Sequence, residues 1–111
     1  MKNCYNSGKI SGLESAHKNF KKSDFEIIDL GYNPINPMVH GLESIGLSHA
    51  PWIIHIIVDI LILVLFCRIA YFQSNWRESK GARIEHRICK LLLIKKIYQD
   101  EIHNKNKSHR S

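Results

Sequence analysis

Apolar positions crowd into one stretch of the chain. Trp52 to Phe66 reads WIIHIIVDILILVLF and is interrupted only by His55 and Asp59. A helix rises about 1.5 Å per residue and a bilayer core is about 30 Å thick, so Trp52 through Phe72 is long enough to cross it. Twelve residues between Ile53 and Phe66 are Ile, Leu, Val or Phe. At about −0.3 to −0.6 kcal/mol each they favour insertion by roughly 4–7 kcal/mol, of which Asp59 takes back about 3 kcal/mol and His55 somewhat more. The pattern predicts a transmembrane helix over 51–72 and an all-α protein. A buried helix in a globular domain is the competing reading, but it needs apolar partners on every side, which the flanking sequence does not display.

On the N-terminal side, residues 1–50 are rich in Asn, Ser, Gly and Lys and read as an external, mostly disordered tail. Its clearest local signal is Ser23-Asp24-Phe25-Glu26, a capping box opening a short helix that Gly31 would end. Beyond it, Asn33-Pro34-Ile35-Asn36-Pro37 demands turns and extended backbone. On the C-terminal side, residues 73–111 predict a basic amphipathic helix from Trp76 to His103, with Asn75 as N-cap and Gly81 weakening its start. Ile84, Ile88, Leu91, Tyr98 and Ile102 would share its apolar face.

Charge gives this layout an orientation. Residues 1–50 hold five Lys and five acids, whereas residues 69–111 hold ten basic and four acidic groups, a surplus of +6 that equals the whole chain's net charge. By the positive-inside rule the C-terminus is cytoplasmic and the N-terminus outside. No basic start followed by an apolar stretch lies near Met1, so the internal span would be its own targeting signal. Trp52, Arg68, Tyr71 and Trp76 would anchor its ends at the two interfaces. Arg83, Arg87, Lys90, Lys95 and Lys96 would lie on the anionic cytoplasmic leaflet or bind a cytoplasmic partner. Nucleic acid is a poor fit, because no aromatic-interleaved RNA motif accompanies the charge.

His55 and Asp59 are the most specific constellation, since an i,i+4 spacing stacks them on one helix face. Parallel copies would turn a His ring and an Asp ring inward, able to hold water and protons; alternatively the pair satisfies itself or joins helices by hydrogen bonds. A short external tail, one span with an inward His, a Cys and an Arg at its inner end, and a basic stretch after it resemble small single-pass viral ion channels, the viroporins. The layout is similar to the influenza-type matrix protein 2 channels, with Asp59 where those carry a Trp four residues after the His. The resemblance implies a viral protein in a host membrane that forms a homo-oligomer and passes protons or cations. The alternative is a membrane-anchored adaptor or regulator that binds through its basic helix or through Asp59.

Catalysis finds no support at this level: no nucleophile sits at a recognisable spacing from a base, and His55 with Asp59 lacks a third group and a pocket. His17, His40 and His49 lack metal-ligand spacing, and Gly8, Gly12, Gly41 and Gly46 form no phosphate-binding loop, so no cofactor is expected. The three cysteines make no CxxC or zinc pattern. Cys4 is read as an external thiol or an interchain disulfide, and Cys67 and Cys89 as sites for palmitoylation.

Overall fold

Short parallel strands organise the chain: β1 (Asn3–Ser7), β2 (Asn33–Ile35), β3 (Ile69–Phe72) and β4 (Lys95–Tyr98). Between and after them come helices α1 (Ala16–Asp29), α2 (Pro37–His40), α3 (Trp52–Phe66), α4 (Lys80–Leu91) and α5 (Gln99–His109), with a 3-10 turn at Trp76–Glu78. This computed structural model describes residues 1–10, 14–40 and 51–109, without the side chains of 39, 40 and 105–109. The strands pair in parallel in the order β2-β1-β3-β4, with Cys4 opposite Pro34 and Ile69, and Ala70 opposite Lys96.

Parallel neighbours need long crossovers, which place helices on both faces of the sheet. Strand alternation then sorts the side chains into two cores. Cys4, Ile69 and Tyr71 pack with Ile27 of α1 on one face. Tyr5, Ala70 and Phe72 pack with Leu63 of α3 and Cys89 of α4 on the other. The architecture is therefore mixed α/β, and the all-α expectation is overturned.

The apolar run divides instead of spanning. α3 has 15 residues, about 22 Å at 1.5 Å per residue, which is short of a bilayer core. Cys67 turns to extended backbone at φ −117° and ψ 142°, and Ile69, Tyr71 and Phe72 continue as β3, where β-branched and aromatic residues pack well. Among the described residues no helix is long and apolar enough to cross a membrane. That removes the transmembrane segment over 51–72, the N-out, C-in single-pass placement, the viroporin resemblance with its viral, host-membrane and ion-channel implications, the pore, and the membrane-anchored adaptor. The apolar partners of α3 come from β1, β3 and α4.

The flanks change as well. α1 starts at Ala16, before the expected capping box, and Ser23 is buried in its middle. Gly31 does stop it, at φ +91°, a conformation that glycine adopts without steric cost. Asn33-Pro34-Ile35 is extended, as the prolines require, and becomes edge strand β2. The long basic helix over Trp76–His103 is broken into turn, helix, strand and helix. Ser79, not Asn75, caps α4, its Oγ accepting from the Ala82 N–H at 3.2 Å. α4 ends where Leu93 takes a left-handed φ of 57° and the Ile94 N–H returns to the Cys89 carbonyl at 2.9 Å.

Candidate active site

In a 2-1-3-4 sheet the chain leaves β1 toward one side for β2 and lies on the other side for β3. The crevice beyond the carboxyl ends of β1 and β3 is where open parallel sheets of this kind bind ligands. A cavity of about 280 Å³ opens there, with Tyr5 and Gly8 of the first strand and its loop on one side and Gly81 and Glu85 of α4 on another. His55 and Asp59 of α3, with Trp52, complete a wall, and Phe20 of α1 and Met38 of α2 close the rest.

Glu85 is the chemical centre of this cavity. It is 4% exposed, and each carboxylate oxygen has a donor: Tyr5 Oη donates to Oε2 at 2.5 Å and Ser7 Oγ to Oε1 at 2.7 Å. Burial pushes its pKa up to about 7 from an ordinary 4.5, while the two hydrogen bonds pull the other way. Burial, followed by the charges of Glu85 and Asp59, holds Tyr5 well above its usual value. Tyr5 therefore remains a proton-bearing donor throughout the neutral range.

Local sequence explains how these groups meet. Tyr5 and Ser7 alternate with Cys4 and Asn6, so they share the face toward α3 and α4. Gly81 lets α4 approach α3, because a Cβ there would lie 2.6 Å from Ile56 Cδ1. On the opposite face Asn6 Nδ2 donates to the Phe20 carbonyl and to Asp24, and Gln73 Nε2 donates to Asn6 Oδ1 at 2.8 Å. That network ties the ends of β1 and β3 together. Gly8 makes room for it: a Cβ would sit 2.5 Å from Gln73 Cδ. Gly8→Ala should displace Gln73, break its bond to Asn6 and cost about 1–3 kcal/mol, read as a lower urea midpoint.

The residues singled out from sequence fall in several places. His55 and Asp59 do share a face, but it turns toward the sheet and the cavity rather than a pore axis; Asp59 lies on the buried stripe with Ile56 and Leu63. Trp52 stands at the start of α3 with Lys80 Nζ 5.1 Å from its ring. Arg68 is exposed between α3 and β3. Tyr71 is buried in β3 and donates to Glu26 at 3.1 Å. Trp76 stacks on His86 at 4.2 Å, next to Phe72 and Tyr98.

Arg83, Arg87 and Lys90 lie on the outer face of α4, and Lys95 and Lys96 begin β4. Cys4, Cys67 and Cys89 are all buried, and burial pushes each thiol up to about 12. His17 is exposed. Gly12, Gly41, Gly46, His49 and the side chain of His40 lie outside the described residues. Among the described residues no cluster of His, Cys, Asp or Glu could hold a metal ion.

Tyr5, Ser7 and Glu85 escaped the sequence reading. Glu85 stands inside the charged run Arg83-Ile84-Glu85-His86-Arg87, whose basic residues read as a lipid or partner surface. Helical geometry separates it, since positions two apart point to different sides. The available signal was Tyr5-Asn6-Ser7-Gly8 at the end of a first strand, with a glycine and a glutamate four apart at the start of a later helix.

A family model described as a domain of unknown function (DUF4406) matches residues 2–98. No curated protein and no solved structure matches the chain.

Proposed function

We propose that this chain, which belongs to the DUF4406 family, cleaves or transfers a glycosidic bond in a small nucleoside-like substrate held between β1 and β3. One observation carries the reading: the buried Glu85 carboxyl, fixed by Tyr5 and Ser7, faces a cavity that also receives Asp59. Paired carboxylates across a cavity are the usual equipment for breaking the bond between an anomeric carbon and its leaving group. Sequence reading expected no catalysis because His55 and Asp59 lacked a third group and a pocket; Glu85 and the cavity are the reasons to propose a reaction.

Removal from water raises the basicity of the Glu85 carboxylate and so its reactivity toward carbon, and the two hydroxyls fix its orientation. In its ionised form Glu85 bonds to the anomeric carbon as the bond to the leaving group breaks. The leaving group departs with that electron pair and takes a proton from solvent, with the Asp59 carboxylate beside it in the cavity. Water, or an acceptor hydroxyl or ring nitrogen, then gives its proton to Asp59 and displaces Glu85. Trp52, Phe20 and Met38 supply an apolar wall for a planar ring, and a cavity of about 280 Å³ suits a ligand below drug size.

The test is release of free base from a panel of purine and pyrimidine nucleosides and their 5′-monophosphates, followed by chromatography. Turnover by the natural chain that falls about 10²–10⁴-fold in Glu85→Gln supports the reading. Binding of the panel without release would leave a ligand-binding crevice and overturn the catalytic proposal.

A further inference from the structure

α3 is apolar on two sides, and the cavity and core use only one. Ile56, Asp59 and Leu63 form the buried stripe. On the opposite side Ile54, Ile57, Leu61 and Val64 follow one another at spacings of three, four and three, with Ile53 and Leu65 beside them, and all six are exposed, Leu61 to 51% and Leu65 to 67%. This is the spacing of a helix seam that packs against another helix.

These six side chains leave on the order of 600 Å² open, at the top of the roughly 300–600 Å² range of the largest patch on a typical monomer. That area matches one partner's share at the lower end of stable protein–protein interfaces. α3 itself brings no charge to this face, because its single ionisable group besides His55 is Asp59, which lies on the buried stripe. A helix face without charge can meet its own copy across a two-fold axis without like-charge repulsion between the two helices.

We infer that the outer face of α3 is a homodimer interface, in which α3 packs against α3 of a second copy with Leu61 near the centre. The inference does not depend on what the cavity does. It differs from the oligomer expected from sequence, which turned His55 and Asp59 toward the neighbouring copies. Each α3 then forms an interface on one side and a cavity wall on the other, so pairing holds the helix that carries Asp59.

Sedimentation equilibrium of the full chain should give twice its 12.9 kDa mass. Leu61→Glu should weaken association at least about 100-fold by placing like charges opposite each other. Ile57→Lys provides a second break at an independent position. Circular dichroism checks that each variant remains folded. Mixing Leu61→Glu with Leu61→Lys should restore dimers. A natural chain that remains at 12.9 kDa, or a folded Leu61→Glu that dimerises unchanged, would overturn the inference. So would a monomer that floats with lipid vesicles through this face.

Discussion

Glu85→Gln should leave the protein more stable above neutral pH, while removing the group on which the proposed reaction depends. Glu85 has a folded-state pKa of about 7 against an ordinary 4.5. Below about pH 4.5 the carboxyl is protonated in both states and its contribution is fully present. Between 4.5 and 7 the folded state binds more protons than the unfolded one, so unfolding free energy falls as pH rises and the loss is complete above the folded value. A shift of this size corresponds to about 3 kcal/mol. A neutral amide pays no such penalty, although its NH₂ group meets one of the two hydroxyls less well than an oxygen does. The expected gain is therefore about 2 kcal/mol at pH 8 and little at pH 4. Urea unfolding of both proteins at these two values checks it; equal midpoints at pH 8 would show that Glu85 carries no desolvation strain.

Leu63→Ala should be the more damaging change in the apolar stretch. Leu63 is fully buried between β1, β3 and α4, and truncating a core leucine costs about 2–5 kcal/mol, the spread reflecting how far neighbours can collapse into the space. Leu91→Ala is the matched control, because Leu91 is 73% exposed at the end of α4 and should change stability by less than about 0.5 kcal/mol. Thermal melts of the two variants should differ by several degrees. Equal melts would mean that α3 does not face the sheet.

Part of this structure is legible in the chain and part is hidden for identifiable reasons. Gly31 and the Pro34 segment show through because their backbone constraints are local. His55 and Asp59 share one face of α3 for the same reason, the i,i+4 spacing being a local property of a helix. The fold class was obscured by α3: with apolar residues both toward the core and on the outer face, no polar stripe marks it as the helix of a sheet protein. β3 was hidden in the tail of the same run, separated from α3 only by Cys67 and Arg68.

The central strand misled in the other direction. A strand buried on both faces usually reads as Val, Ile and Leu, but Asn3–Ser7 carries Asn6 and Ser7 at fully buried positions. Those polar residues are there because this strand ends at the cavity and the Gln73 network. β4 begins with two lysines and was absorbed into a basic helix. Glu85 could not be recognised without Tyr5 and Ser7, which lie 80 and 78 residues away in sequence.

The margins of the sheet also determine how these molecules can meet. β2 is three residues long with Pro34 at its centre, and β4 opens on Lys95 and Lys96. A proline lacks the N–H that an incoming strand would need, and adjacent ammonium groups repel a second chain laid alongside. Both margins are thus closed to strand addition, the route by which exposed sheets recruit peptides or grow into fibrils. Crowded copies of this chain should resist ribbon-like aggregation even though a helix surface is rich in isoleucine and leucine.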